Sequence, residues 1–463
     1  MARAKITHNK SRSEPPTLAQ PKHNALSLLT NSSESVLQVF FGLVPLFLVT
    51  VRSWTSAILI IGFFLSIIFL TRQKSVSMDG PLVYIKFKSL IIGTLLAPVI
   101  AVAFSSILRG KNTWADYDSA SRFLVAIAIF LFVVRKRISM ANFFQYTAPS
   151  SLALTLMQQL CFPQTRIWGA DRMSTYFADP LVFGYTSLTL SLISLVSINL
   201  LTKDSNPVVA FKLVGAVIGL YLSIMSGSRT GWFAIPIIIV IWLTQQKQLK
   251  GKSKYLHLGI YGLAAAVTLV FFEFSFPLNQ RFSLGFHEIF DYSWGGIASE
   301  SSVGFRITFL RVAFDMFTTH PLTGFGETRN ELSSLPKHIY TYASPESIRL
   351  ALTAGFHNEI VTNAVRYGVA GLVASVMLFV VPLYIFACQM RSVVRVQRAN
   401  ALVGLVFATC VLISSLSTEV FDLKYMASFY ALMITLLLAS SVAACEQEQP
   451  HSHYHANSDK GNL

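Results

Sequence analysis

Four short polar segments carry the residues of this sequence that are best suited to chemistry. The segment SGSRTG, at residues 226–231, places Ser228 and Arg229 in a tight turn of small residues. Small residues let a backbone approach a ligand closely, and exposed backbone N–H groups ahead of a helix favour an anion. We therefore predict that Arg229 binds an anionic ligand, with Ser228 in support. The alternative is an ordinary turn whose arginine extends to the membrane surface.

Arginines also stand in two other polar segments. Arg166 and Arg172 belong to residues 166–180, and Arg306 belongs to residues 304–326. Arginine presents a rigid fork of donors that matches phosphate and carboxylate groups. These three arginines are therefore candidates for binding a phosphorylated ligand. The alternative is that they pair with acidic residues of neighbouring loops, such as Asp171, Asp291 or Asp315.

The pattern within residues 305–318 predicts a helix. Its apolar residues recur at spacings of four and three, which gives one apolar face: Phe305, Phe309, Val312 and Met316. Arg311 and Asp315 are spaced to form an ion pair on the other side. Arg306 has no such partner in the helix, which makes it the better ligand candidate of this stretch.

The fourth segment, GFHNE at residues 355–359, precedes a long apolar run. Histidine exchanges a proton near neutral pH, so His357 is the candidate general base. The alternative is a structural histidine that packs or caps the following helix. Asn358 and Arg366 are supporting candidates, and Arg366 is the clearest charge inside a predicted span.

Other patterns point to chemistry only weakly. Asp116 and Asp118 form the Asp-x-Asp tripeptide that can hold a metal and a sugar nucleotide, but this tripeptide is common. His287 and Glu288 lack the second histidine of a zinc-protease helix. The four cysteines show no paired spacing. We therefore predict neither a metal site nor a cofactor.

Composition places these segments in a membrane protein. Hydrophobic residues make up 53% of the 463 residues and charged residues only 13%, against about 25% charged in soluble proteins. A spanning helix needs about 20 apolar residues. About twelve blocks approach that length: 36–51, 57–70, 89–108, 123–134, 146–160, 181–201, 208–225, 232–243, 256–272, 360–387, 401–416 and 425–443.

The net charge of +15 is explained by topology and requires no nucleic-acid partner. Lysine and arginine concentrate in cytoplasmic loops, which places both termini inside. Arginine then dominates the outer segments and lysine the inner ones. The predicted organisation is a cytoplasmic tail at 1–30, nine spans over 31–272, a large outer loop at 273–355, three spans over 356–445 and a second cytoplasmic tail at 446–463.

Four stretches together resemble the O-antigen ligase and polymerase superfamily: DRMSTYFADPLVFGY at 171–185, SGSRTGWFAIP at 226–236, FRITFLRVAFDMFTTHPLTGFG at 305–326 and HNEIVTNAVRYGVAGL at 357–372. Their order, spacing and common outer placement carry the resemblance. Asp179 stands before Pro180 where the family often has asparagine, and Phe309 replaces the more usual tryptophan. The first 160 residues match the family only in hydropathy.

The resemblance implies a glycosyltransferase of the GT-C type in the inner membrane of a Gram-negative bacterium. The arginine-rich outer face and the lack of a convincing acidic or His/Cys cluster predict that it needs no metal, and a single displacement would invert the anomeric centre. Such an enzyme moves a glycan from undecaprenyl pyrophosphate to an acceptor on the periplasmic face. The acceptor is lipid A–core in the ligase branch, a second lipid-linked unit in the polymerase branch and a protein hydroxyl in a third branch. The large loop before His357 favours the ligase. The alternative from another class is a lipid or solute transporter.

Overall fold

The computed structural model describes residues 36–72, 82–162, 172–246, 287–297, 301–326 and 335–443. Within these ranges the chain is helical and contains no β-strand. Its α-helices are α1 (Trp54–Arg72), α2 (Leu82–Arg109), α3 (Tyr117–Lys136), α4 (Ala141–Cys161), α5 (Pro180–Val196), α6 (Asn206–Ser226), α7 (Ala234–Gln246), α8 (Ser302–Thr319), α9 (Pro345–Ala354), α10 (Glu359–Gln389), α11 (Arg395–Ser415) and α12 (Lys424–Val442). Arg166, Asp171, the predicted span 256–272 and both predicted tails lie outside the described residues.

Length and composition allow seven of these helices to cross a membrane. They are α1, α2, α3, α6, α10, α11 and α12, while α5 and α7 are apolar but shorter. The prediction of an all-α, polytopic membrane protein is confirmed. The number of twelve spans stays a prediction, because part of the chain lies outside the described ranges.

The first predicted span, 36–51, differs from expectation. It is helical over residues 36–42 and continues as turns to residue 50. Pro45 has no N–H group to donate into a helix, and its ring obstructs the preceding turn. The span was predicted from apolar composition, which does not reveal that Pro45 interrupts the helix.

The centre of the bundle is α12, whose apolar stretch is completely buried. Close packing elsewhere relies on small residues, as is usual where lipid supplies no hydrophobic drive for helix association. A Cβ atom on Gly219 of α6 would lie 2.6 Å from the Cβ of Ser191 on α5. The Ser191 hydroxyl donates to the Ala216 carbonyl at 2.6 Å. The bundle therefore offers a rigid support for the loops at its ends.

The residues between α7 and α10 include a small helical unit with its own apolar core. It comprises α8, a 3₁₀ helix (Lys337–Thr341) and α9. The predicted apolar face of α8 is buried in it, since Phe309, Val312 and Met316 are at most 1% exposed. Phe356 and Val365 join the same core. This packing fixes α8 against the start of α10.

Helix α10 is interrupted at Tyr367 and Gly368, whose backbone angles are not helical. Residues 320–326 supply hydrogen bonds at the interruption. Phe325 N–H donates to the Val365 carbonyl at 3.0 Å, and Gly326 N–H donates to the Arg366 carbonyl at 2.7 Å. A buried backbone group without a partner is costly in a membrane, so this segment stabilises the broken helix.

Candidate functional site

His357 lies in a tight turn directly before α10. Its φ angle is 51°, and that of the nearby Gly355 is 84°. A non-glycine residue with positive φ is uncommon and marks a constrained position. Asn358 follows as the N-cap of α10, and its Oδ1 accepts from the N–H groups of Ile360 and Val361, each at 3.1 Å. This cap explains how the chain turns from His357 into the helix.

The imidazole of His357 lies between an aromatic ring and a carboxylate. It stacks on Phe309 with ring centroids 5.5 Å apart. Its Nδ1 atom is 3.7 Å from Oε2 of Glu419, and the side chain remains 35% exposed. The Nδ1 atom is buried and makes no hydrogen bond within the described structure. The ring is therefore held in place while retaining access to solvent.

Glu419, in the connection between α11 and α12, was not identified from the sequence. It is 6% exposed, and its Oε1 accepts from the Thr362 hydroxyl at 3.0 Å. Burial raises the pKa of this carboxyl to about 7. A Cβ atom on Gly355 would come within 2.4 Å of Oε1, so only glycine allows this approach. The signal in the sequence was an acid that stands, with Asp422, in a short segment between two apolar runs.

Two charged residues from other segments act on His357. Burial lowers the pKa of His357, the positive charge of Arg306 lowers it further and the negative charge of Asp179 opposes this. Arg306 is accessible to solvent, yet neighbouring protein displaces enough water to lower the pKa of its guanidinium. The structure thus brings residues of the polar segments 166–180, 304–326 and 355–359 into one neighbourhood.

The turn at residues 226–231 is connected to this neighbourhood through residues 172–179. Arg172 Nε donates to the Ser226 carbonyl at 2.8 Å, and Asp179 caps α5 at the other end of that stretch. Ser228 is buried at 4% exposure. Arg229 is half-buried and precedes the 3₁₀ helix Thr230–Phe233.

Two supporting candidates have structural partners. The Asn358 side chain caps α10, as described above. Arg366 is 6% exposed, and its Nη1 donates to Asp422 Oδ1 at 2.6 Å. Arg366 lines a cavity whose walls do not include His357. The structure therefore places Arg366 beside the His357 neighbourhood rather than in it.

The expected Arg311–Asp315 pair is wrong. Asp315 instead accepts from the Tyr342 hydroxyl at 2.5 Å and lies 3.0 Å from His338 Nε2. Arg311 packs over the Tyr342 ring at 4.0 Å. These partners come from the 3₁₀ helix and the residue after it, which pack against α8. Tertiary contacts outweigh the few tenths of a kcal/mol that a surface pair along one helix contributes.

The carboxylates of the Asp-x-Asp tripeptide are engaged by basic side chains. Asp116 lies 3.4 Å from Arg109, and Asp118 lies 2.9 Å from Arg122. Lys424 also contacts Asp118. In the part of the chain that the structure describes, no three His, Cys, Asp or Glu residues are grouped as a metal site would require.

Comparison with known proteins supports the resemblance seen in the sequence. Residues 214–376 match a family described as O-antigen ligase, and this range contains Arg229, Arg306 and His357. An uncharacterized protein of Haemophilus influenzae is 21% identical over 302 residues, which cover 62% of this chain and 70% of that protein. The chain is therefore a multi-pass membrane protein, and its residues 214–376 are similar to the O-antigen ligase family.

Proposed function

We propose that this protein transfers O-antigen from undecaprenyl pyrophosphate to lipid A–core on the periplasmic face of the inner membrane. The observation that carries the proposal is the placement of His357. Its imidazole stacks on Phe309 and lies 3.7 Å from Glu419, and Arg306 is close enough to lower its pKa. A base and a cation for the leaving group stand together in a neighbourhood that is partly open to solvent.

His357 is suited to act as the general base. Its lowered pKa keeps the imidazole neutral near pH 7, so it can accept the proton of the acceptor hydroxyl. The resulting oxygen nucleophile attacks the anomeric carbon, and the bond from that carbon to the pyrophosphate oxygen breaks. One displacement inverts the anomeric centre. A positioned general base typically contributes about 10²–10⁴-fold to the rate.

Glu419 has a supporting role in this proposal. When His357 accepts the proton at Nε2, its Nδ1–H faces the nearby carboxylate. The gap of 3.7 Å between Nδ1 and Oε2 is longer than a hydrogen bond. A small rotation of the newly charged imidazolium would close it, and the carboxylate would then stabilise that charge. Catalytic hydrogen bonds often tighten only in the substrate complex.

The arginines are suited to binding and neutralising the leaving group. Lipid pyrophosphate is a stable anion, so it needs neutralisation more than protonation. Arg306 and Arg229 are the primary candidates, and Arg172 and Arg166 are further candidates selected from the sequence. Each charged hydrogen bond contributes roughly 1.5–3 kcal/mol. The carrier lipid would lie along the outer surface of the spans.

A two-substrate assay tests this function. Purified protein in liposomes receives lipid-linked O-antigen and lipid A–core, and the products are separated on a gel. We expect a glycan ladder on lipid A–core that persists in excess EDTA, because Asp116 and Asp118 are engaged by basic side chains. Extension of the lipid-linked glycan without core would instead show a polymerase. Movement of a lipid between leaflets without any new bond would show a transporter.

A further inference from the structure

A cavity of about 270 Å³ lies beside the His357 neighbourhood and has no part in the transfer step described above. It is lined by residues of α2, α3, α10 and the connection before α12. Its walls include both polar and aromatic side chains. Phe123, Tyr367 and Phe421 contribute rings, and the polar lining includes Asp116, Asp118, Glu359, Asn363, Arg366 and Asp422.

Most of the carboxylates in the cavity already have partners. Glu359 Oε2 accepts from the Phe421 N–H at 2.9 Å, and Asp422 is bound by Arg366. Asp118 is bound by Arg122 at 2.9 Å. Such a set of neutralised acids has little capacity left for a metal ion. A phosphate is also disfavoured, because the basic side chains around the cavity already engage carboxylates: Arg109, Arg122, Arg366 and Lys424.

Asp116 is different because one of its oxygens has no partner. Its Oδ2 meets Arg109 at 3.4 Å, whereas its Oδ1 is buried and accepts no hydrogen bond. The side chain is only 2% exposed. An unsatisfied buried acceptor costs about 1–3 kcal/mol. A ligand that donates a hydrogen bond at this position would remove that cost.

From these features we infer that the cavity binds one sugar ring of the acceptor glycan. A sugar presents hydroxyl groups that donate to carboxylates such as Asp116 and accept from donors such as Asn363. Its apolar C–H face packs against aromatic rings. The cavity is slightly smaller than the usual pocket of about 300–1,000 Å³ for a larger ligand, which suits a single ring. A neutral, hydroxyl-rich ligand matches the polar and the aromatic side chains of the lining.

The cavity and the transfer site share two backbone segments. Glu359 lines the cavity two residues after His357, and Phe421 lines it two residues after Glu419. A glycan with one ring in the cavity could therefore present a hydroxyl on a neighbouring ring to His357. This inference rests on the proposed function, because it assigns the cavity to the acceptor of that reaction.

The experiment measures binding separately from catalysis. Dephosphorylated core oligosaccharide, free of lipid, is titrated against the protein in nanodiscs and followed by saturation-transfer NMR. Asp116→Asn removes the carboxylate with little change in size, and Ala374→Leu fills the cavity from α10 without changing charge. The matched controls are Asp291→Asn, at an exposed loop position, and Val376→Leu, on the exposed face of α10.

We expect the wild-type protein, both controls and His357→Ala to bind the oligosaccharide. Asp116→Asn should bind about tenfold more weakly, because it loses one charged hydrogen bond. Ala374→Leu should also bind about tenfold more weakly, because its side chain fills part of the cavity. In the transfer assay these two variants should raise KM for lipid A–core and leave KM for the donor unchanged. If the wild-type protein binds the oligosaccharide but transfers no glycan, the subsite is supported and the proposed function is contradicted. Equal binding by all variants, or none by wild type, would overturn the subsite.

Discussion

At the scale of single residues, the basicity of one imidazole decides whether the site can work at neutral pH. Burial and the charge of Arg306 both lower the pKa of His357, and Asp179 only partly offsets them. A lowered pKa keeps the base unprotonated, but it also weakens the base. The same arginine that would hold the pyrophosphate therefore tunes the group that accepts the proton.

Replacing Arg306 by Gln should shift the pH dependence of transfer. Activity falls when His357 becomes protonated, so the acid limb of kcat/KM follows the pKa of His357 in the free enzyme. Arg306 lowers that pKa, and its removal should move the limb to higher pH in addition to slowing the reaction. Arg349→Gln, at an exposed position of α9, is the control. A limb that stays in place or moves to lower pH would contradict the electrostatic contact.

Replacing Glu419 by Gln should lower kcat while leaving the protein folded. Gln keeps the size and can still accept from Thr362, but it cannot stabilise an imidazolium at Nδ1. We expect a loss of part of the 10²–10⁴-fold that a general base contributes, with donor affinity unchanged. Glu346→Gln, at a position on α9 whose side chain is 45% exposed, should have no effect.

The stability of Glu419→Gln separates catalysis from folding. Burial raises the pKa of Glu419 to about 7, so ionisation of this carboxyl disfavours the folded state as pH rises above the pKa of the unfolded chain. Removal of the charge should leave the melting temperature at pH 8 unchanged or higher. A lower melting temperature together with lost activity would assign Glu419 a structural role.

At the scale of helices, the interruption of α10 is the point at which residues 320–326 contact this helix. Gly324 and Gly368 bring two backbones into contact, since a Cβ atom on Gly324 would lie 2.3 Å from the Arg366 carbonyl oxygen. Both glycines have positive φ. Residues 320–326 thereby connect the α8 unit to the interior of the bundle.

Gly324→Ala should therefore destabilise the protein. The added methyl group overlaps backbone atoms, and the left-handed conformation alone costs about 1–2 kcal/mol for a residue with a Cβ. Thermal unfolding in detergent should show a clear drop in Tm. Gly295→Ala is the matched control, because nothing lies within 4 Å of its Cβ position. An unchanged Tm for Gly324→Ala would mean that this backbone contact is absent.

The spacing of apolar residues predicts helices better than it predicts the residues that those helices contact. The spacing of Phe309, Val312 and Met316 is enough to predict α8 and its buried face. The partners of Asp315 and the interruption at Gly368 depend on segments far away in the sequence, which local spacing does not reveal. Glu419 was missed for the same reason, because only the fold brings it to His357. His357, Arg306 and the turn at residues 226–231 could be selected in advance, since their side-chain chemistry does not depend on the fold.

At the scale of the whole molecule, the contacts between helix ends define two opposite faces. At one face, Arg172 donates a hydrogen bond to the Ser226 carbonyl and the Thr362 hydroxyl donates to Glu419. At the other face, Arg395 donates to the Leu200 carbonyl at 3.1 Å. All described candidate residues except Arg366 belong to the ends or loops of the first face. The arrangement is the one expected of an enzyme that works at a single membrane surface.

Reporter fusions should assign these faces to compartments. Fusions at Thr113, Ser228 and Ser301 should report the periplasm, because the connections that carry them meet at the first face. Fusions at Arg137, Ser253 and Arg395 should report the cytoplasm, as the positive-inside rule predicts. A cytoplasmic signal at Ser301 would contradict the orientation on which the proposed chemistry depends.

The most direct test of the proposed mechanism is transfer by His357→Gln, measured with donor binding in the same preparation. Gln keeps the approximate size and hydrogen-bonding capacity of the imidazole but cannot accept a proton near pH 7. The variant should insert normally and bind lipid-linked glycan with wild-type affinity. Its transfer to lipid A–core should fall by about 10²–10⁴-fold, the contribution of a general base. Near-normal transfer by a well-inserted His357→Gln protein would contradict the central claim that this histidine is the catalytic base.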